Sequence, residues 1–456
     1  MREMAEYNAQ NFRELLRVIR HYCPKLFDMF QGKPGEDPRH ASYIVYDLRL
    51  ILTTLFLKYL LSIESMREMT RLFLQGVPVK NALFLSGADT TATEVPHAQT
   101  INDTLKRMKT DILERIRKHT IISVIRSKLF NEGRFRKKWL IAIDGTHLSH
   151  MHVKPNEECL VATHGKNTEH EIRDYYQAVL EARLCPLGTS VALSIGSEFM
   201  SNEPQGSRTD EDYKQDCEQK AFYRLVGRLR KEYPRLPMCF LGDSLYAQGP
   251  VMHFILENKC DFILRYKDGS IPFIANHIAA HQDQLKPADD GKGFYNIRYM
   301  NGVKYVFEKT DQDGHKTKQC IELNYLKASS TVQTDGESKE IEFQWLTNMN
   351  MNKHTAAYFA EAGRQRWKIE NQGFNRQKNW VDDMTHLCCW DATGARMHYL
   401  MMQLADIFRM LLEYRRFTKR EIKIQYKPYL ESLRNTMCTI LFDQSFITGK
   451  AENCVY

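Results

Sequence analysis

The sequence predicts an α/β fold in which helices pack on a mixed sheet, and three features predict it. Three consecutive β-rich runs are followed by helix, strand, helix and strand in alternation. Two of those strands deliver an aspartate where the chain leaves the apolar run. A helical block precedes this arrangement, and a stretch rich in Gly, Asp, Lys and Thr interrupts it.

Residues 1–130 read as helical. Val45, Leu48, Leu52, Leu55 and Tyr59 recur at helical spacing, and Pro96 to Thr100 precede a further amphipathic run. Such a block can serve as a DNA-binding module or as a packing or dimer module. From Trp139 the texture changes. WLIAID (Trp139–Asp144), YYQAVLEARL (Tyr175–Leu184) and TSVALSIGSEF (Thr189–Phe199) read as strands, the last two divided by a hairpin-like break at Cys185–Gly188. A charged helix from Asp210 to Glu232, a strand at Pro237–Asp243, an apolar helix near Pro250–Glu257 and a strand at Asp261–Leu264 follow. Residues 131–267 thus form the first part of a sheet domain. Residues 268–347, with alternating runs such as KYVFEK (Lys304–Lys309) and IEFQWLTN (Ile341–Asn348), read as a β-rich insertion. Helix is expected again from about Lys353 through Glu370, so that 348–392 complete the sheet domain. Residues 393–456 form a C-terminal helical region. There Met397, Leu400, Met401, Leu404, Phe408 and Leu411 make a core-packing stripe.

Composition narrows the classes. A chain of 456 residues, 43% apolar and 26% charged, can bury a sizeable core. Lys plus Arg exceed Asp plus Glu by 64 to 56. Between Lys106 and Lys138 there are twelve basic residues against three acids, and between Arg409 and Arg434 eight against three. Each block alone suits a solvated helix face; two of them flanking one region suit a phosphate backbone. The eleven cysteines include no C-x-x-C pair and lack zinc-finger spacing, which points to reduced thiols. The opening MREMAEYNAQNFRELL has no apolar core of the secretory type, and Leu48–Ile63 is too short and too charged to span a bilayer, so no membrane association is expected. No Walker A motif exists around Gly165-Lys166, where Leu160 and Asn167 take the Gly and Ser/Thr positions. Ser244 lacks a G-x-S-x-G setting, which disfavours a hydrolase nucleophile.

The acids carry the chemistry. Asp144 ends WLIAID and Asp243 ends MCFLGD, so neighbouring strands would bring both carboxylates to one edge of the sheet. An aspartate after a strand also commonly caps a turn. RQRWKIENQGFNRQK (Arg364–Lys378) adds Glu370, four residues from Arg366 on a helix face, amid Arg364, Lys368, Arg376 and Lys378. A surface ion pair accounts for Arg366 and Glu370 but not for the five cations around a single carboxylate.

IDGTH, FLGDSLYA, FILRYKDG and RWKIENQGFNRQK together resemble the DDE-class transposases of the insertion-sequence-four group, over roughly residues 139–380. The resemblance implies a ribonuclease-H-like fold with a β-rich insertion between the second Asp and the Glu. The two intervals here are 99 and 127 residues, and the longer one contains the insertion. The group's signature runs Tyr, two residues, Arg, three residues, Glu, six residues, Lys. Arg366 and Glu370 match it. Gly363 stands in the Tyr place and Gln377 in the Lys place, with Lys378 one residue late. One residue turns a helical side chain by about 100°, so Lys378 meets the signature only where the helix ends or bulges.

The resemblance implies a transposase that cleaves DNA at element ends and joins it to target DNA. Asp144, Asp243 and Glu370 would hold two Mg²⁺ ions (Mn²⁺ substituting), with Asp144 bridging both. Arg366, Lys378, Arg364, Lys368 and Arg376 would contact DNA, and Trp345 in the insertion would either stack on a flipped base or pack in the core. It further implies terminal inverted repeats and target DNA as partners, a homodimeric synaptic complex, and a bacterial cytoplasm with nucleoid association. His147 is expected to pack or hydrogen-bond, and Glu181 and Glu198 are weighed as outer acids or as exposed strand charges. The other readings are a metal-dependent nuclease without strand transfer and a transposase-derived DNA-binding protein that has lost its chemistry.

Overall fold

The longest apolar stretch of the chain becomes its most thoroughly buried helix. A computed structural model describes residues 2–74, 76–88, 93–165, 168–202, 216–289, 295–310, 314–334, 337–416 and 426–448. The N-terminal block contains α1 (Arg2–Tyr22), α2 (Leu26–Met29), α3 (Leu48–Leu60), α4 (Met66–Leu72), α5 (Val77–Ser86), α6 (Ala98–Leu105) and α7 (Asp111–Arg126). The Asp47 side chain accepts from the Arg49 N–H and starts α3, so Val45, which shares the helical spacing, stays outside the helix and exposed. Leu50, Ile51, Leu52, Leu55, Phe56, Leu57 and Leu60 are fully enclosed, each contributing about 1.5–3 kcal/mol of burial.

The sheet follows. Its strands are β1 (Trp139–Met151), β2 (Leu160–His164), β3 (Ile172–Leu184), β4 (Leu193–Met200), β5 (Met238–Gly242), β6 (Asp261–Tyr266), β7 (Lys286–Ala288), β8 (Asn296–Thr310), β9 (Lys316–Thr334) and β10 (Glu337–Thr347). β3 runs antiparallel to β1 and to β4, whereas β5 runs parallel to both β1 and β6. The order β4-β3-β1-β5-β6, three antiparallel strands followed by two parallel ones, is the ribonuclease-H-like arrangement. α9 (Gly249–Glu257) connects the parallel neighbours β5 and β6, as a crossover requires, and α8 (Glu218–Glu232) carries the chain from β4 at one side of the sheet to β5 beyond β1. Of the charged helix expected from Asp210, residues 210–215 lie outside the described residues.

The β-rich stretch after β6 and α10 (Pro272–Ala280) extends the same sheet. β8 and β9 form a long antiparallel ribbon, β10 pairs with β9, and Gln344–Thr347 of β10 pair with Ile263–Tyr266 of β6. The chain then returns through α11 (Ala356–Arg364), a π-helical turn (Ile369–Phe374) and α12 (Asn375–Asn379). It ends in α13 (Ala392–Arg416), α14 (Tyr426–Thr439) and α15 (Gln444–Thr448). The α13 stripe of Met397, Leu400, Met401, Leu404, Phe408 and Leu411 is buried throughout and joins the helical block to the sheet through α3 and β4. No helix among the described residues is long and apolar enough to cross a membrane.

Candidate active site

Register brings the first two acids together. Ala142 on β1 lies opposite Leu241 on β5, so continuing two residues places Asp144 level with Asp243, just where β5 ends; β1 does not end there, as its apolar run suggested, but continues along β3 to Met151. Asp243 has just left β5, and its Oδ1 accepts from the Leu245 N–H at 2.8 Å. The third acid arrives on the returning helix. Arg366 Nη1 donates to Glu370 Oε1 at 2.8 Å and to Asp144 Oδ2 at 3.3 Å, so one guanidinium ties the helix to the middle of β1. Asp144 and Arg366 are largely enclosed there, while the Glu370 side chain remains 42% exposed.

A fourth acid stands beside them. Glu218, the first residue of α8, accepts a short hydrogen bond from the Tyr246 hydroxyl, and a Cβ placed on Gly145 would lie 2.7 Å from Glu218 Oε2. The sequence offers no periodicity or motif that singles out Glu218; only the fold brings the start of α8 against Gly145. Burial, opposed by Arg366 but reinforced by Glu370, Glu218 and Asp243, pushes the Asp144 carboxyl up to about 7. Burial and Asp243 also raise Glu218, against the Tyr246 hydrogen bond.

Among the described residues, no three His, Cys, Asp or Glu side chains are grouped so as to hold a metal ion, and Asp144 and Glu370 instead meet across Arg366. The donor set nevertheless suits a hard divalent cation: its atoms are carboxylate oxygens, and their mutual repulsion calls for positive charge that one guanidinium supplies only in part.

The helix carrying Glu370 explains the shifted lysine. Ile369–Phe374 form a π-turn, in which the Asn375 N–H reaches back to the Glu370 carbonyl. Seven α-helical residues turn about 700°, nearly two full turns, and an eighth would rotate Lys378 away by about 100°. The π-turn absorbs one residue, which returns Lys378 to the phase of the signature position. Lys378 accordingly lies near enough to His147, on β1, to help depress that imidazole, whose first cause of lowering is burial. His147 itself packs on Tyr176 with ring centroids 4.6 Å apart.

The other expected contacts divide. Arg364 is exposed, its guanidinium 5.3 Å from the rings of both Tyr295 and Phe343. Lys368 is turned inward: its Nζ donates to the Pro186 carbonyl at 2.6 Å, and burial lowers its pKa. Arg376 is not at a surface at all. It is 1% exposed and paired with Asp406 and Glu413 of α13, so the expectation of a DNA contact is corrected: a phosphate cannot reach it. Trp345 is core, 3% exposed, with its indole filling the space where Gly363 has no side chain. That contact also explains why glycine replaces the signature tyrosine. Gln377, in the signature lysine place, is buried and accepts from Arg183 Nη2 at 2.8 Å.

Glu181 and Glu198 are both engaged elsewhere. Glu181 is buried and accepts from Ser197 and Tyr399, and Glu198 pairs with Arg224 and Arg228. The basic block at 409–434 contains the buried Arg409, paired with Asp382, and Arg434 near Glu68; residues 417–425 lie outside the described residues. Arg265 on β6, the arginine of FILRYKDG and not singled out from the sequence, lies close enough to Arg366 to be affected by its charge and sits over the Phe343 ring at 4.8 Å.

Comparison with curated proteins gives no match. Among solved structures, the chain is similar to a piggyBac transposase synaptic complex with hairpin DNA, determined by cryo-electron microscopy. The identity is 11% and the TM-score 0.42, with 96% of this chain and 82% of that chain covered. Residues 218–404, which include Asp243, Glu370 and the whole returning helix, match the family model described as the transposase DDE domain.

Proposed function

We propose that this chain is a DNA transposase of the insertion-sequence-four kind, cleaving DNA at element ends and transferring the freed 3′ end to target DNA. The observation that carries the reading is the meeting of Asp144, from the middle of β1, with Glu370, from the returning helix, on Arg366, with Asp243 level on the next strand. Two of these carboxylates, Asp144 and Glu370, come from distant parts of the chain to share one guanidinium, and Asp144 is largely enclosed there, which a surface ion pair alone does not account for.

Asp144, Asp243 and Glu370 would hold Mg²⁺, with Mn²⁺ as a substitute. When bound, the metal activates the attacking water or hydroxyl and neutralises the departing 3′ oxygen. The protein's own groups do the remaining work. Arg366 limits repulsion between Asp144 and Glu370 and fixes the helix against β1. Lys378, two turns along the same helical face, and the exposed Arg364 supply positive charge for the phosphate backbone. Terminal inverted repeats and target DNA are the partners this chemistry needs, and a homodimer would hold two ends together. In domain terms, 131–267 and 348–392 form the catalytic unit, 268–347 its insertion, and 1–130 and 393–456 the helical flanks.

Asp144→Ala tests the reading. It should lower Mg²⁺-dependent cleavage by more than about a hundredfold, since removal even of an outer support of a metal site costs 10–100-fold. DNA binding should persist. Cleavage that survives the change rejects the triad. Joining of a precut terminal oligonucleotide to target DNA separates a transposase from a plain nuclease.

A further inference from the structure

We propose that Glu218 is a fourth carboxylate of the cation pocket, set in place by Tyr246 and admitted by the missing side chain of Gly145. The proposal rests on reading that pocket as a metal site. Three observations support it. The Glu218 carboxylate lies against the backbone one residue beyond Asp144, where a Cβ on Gly145 would be 2.7 Å from Oε2 and 2.9 Å from Cδ. Its other oxygen, Oε1, accepts from the Tyr246 hydroxyl, Tyr246 is fully buried, and the Gly145 N–H also bonds the carboxylate, so Glu218 is held in place beside Asp144 and Asp243. Among the described residues, no Lys or Arg forms an ion pair with it, although Asp144 and Asp243 both lie within electrostatic reach.

A stability role alone explains this poorly. An acid in the first turn of α8 interacts favourably with the helix dipole, but that benefit is available to an exposed carboxylate. Burying the charge beside two further acids is unfavourable unless a cation shares the space. The hydrogen bonds from Tyr246 and the Gly145 backbone use two of about four acceptor sites on the carboxylate, so Glu218 can ligate a cation directly or through a water while it remains anchored. A carboxylate held in this way would raise the pocket's affinity for a divalent ion beyond what three acids provide.

The test measures Mn²⁺ binding to the full chain without DNA, from the electron paramagnetic resonance signal of the free ion. Wild type is compared with Glu218→Gln, Gly145→Ala and Asp144→Asn, and unfolding temperatures are recorded in EDTA. Glu218→Gln keeps the shape and a partner for Tyr246, and it should weaken Mn²⁺ binding about tenfold or more without lowering the unfolding temperature in EDTA. Gly145→Ala removes no acid, yet its Cβ displaces the carboxylate, so it should weaken binding in the same direction. This second variant keeps the proposal open to refutation if Glu218→Gln does not fold. Wild-type affinity in Glu218→Gln or Gly145→Ala, together with lost affinity in Asp144→Asn, overturns the role of Glu218 and leaves the pocket standing. Wild-type affinity in Asp144→Asn as well overturns the metal reading of the pocket and this proposal with it.

Discussion

Replacing Arg376 with methionine removes a charge whose partners remain buried. The Arg376 side chain is 1% exposed, Asp406 is 2% exposed, and Glu413 is 12% exposed. Methionine retains much of the side-chain length, so lost packing is a minor part of the effect. Asp406 keeps partial compensation from Arg409 at 3.4 Å and Arg183 at 3.8 Å, whereas Glu413 loses the guanidinium that its carboxylate faces. Breaking a buried pair costs roughly 3–5 kcal/mol. At roughly 2–4 °C per kcal/mol for a sizeable domain, the unfolding temperature should fall by roughly 6–20 °C. The assay pairs thermal unfolding with the salt dependence of DNA binding at a temperature where the variant is folded. A residue that contacts phosphate contributes a slope of about 0.9 in log affinity against log salt, and Arg376→Met should leave that slope unchanged. Arg364→Gln is the converse control, lowering the slope while leaving stability within about 0.5 kcal/mol. An Arg376→Met protein that melts like wild type and binds DNA with a shallower salt slope would refute the structural role.

The remaining predictions follow from single contacts. Asp144, held up to about 7 against an ordinary 3.8, makes the native state bind more protons between those values, so its stabilising contribution is complete below about pH 3.8 and lost as pH rises through 7. In EDTA at pH 8, Asp144→Asn should therefore be more stable than wild type, and parallel stability–pH curves for the two would reject this. His398, buried between Tyr59 and Asn102 and pushed down to about 3, stays neutral in the fold. Its contribution is present above pH 6.5 and lost as pH falls toward 3, by about 1.4 kcal/mol per unit, a dependence that His398→Gln should lack in urea titrations. Gly363→Ala, with its Cβ 2.5 Å from Trp345 Nε1, should destabilise by about 1–3 kcal/mol in denaturant unfolding. Deleting the exposed Asn371 should convert the π-turn to regular helix, leave Lys378 in phase and preserve cleavage, whereas inserting an alanine there should abolish it.

The strand that delivers Asp243 was legible because its apolar run stops at the acid, whereas WLIAID gave the start of β1 but not its length: pairing with β3 carries the strand through Asp144 to Met151. The α13 stripe was legible for the same kind of reason, since a six-member helical pattern has one way to be buried. Arg376 and Trp345 could not be assigned by such patterns. Arg376 sits in a helix rich in cations, and only the approach of Asp406 and Glu413 from α13 turns it inward. Trp345 lies in an alternating strand whose two faces look alike in sequence until α11 covers one of them. Glu218 was hidden more deeply: its role depends on a register between α8 and β1 that no local pattern records.

The departures from the signature around Glu370 each meet a structural counterpart. Gly363 lacks the expected ring, but Trp345 from β10 fills the same space and holds the helix start against the insertion strands. Gln377 lacks the expected charge, but a buried lysine there would face Arg183 and need its own counter-ion, whereas the amide bonds to Arg183, Gln403 and Asp406 together. The positive charge is displaced to Lys378, and one additional residue, taken up as a π-turn between Glu370 and Lys378, restores its direction. The π-turn replaces regular helical hydrogen bonds with a rarer geometry between the acid and the lysine. On the proposed function, this geometry keeps Glu370 and Lys378 at the spacing at which both could face one phosphate backbone.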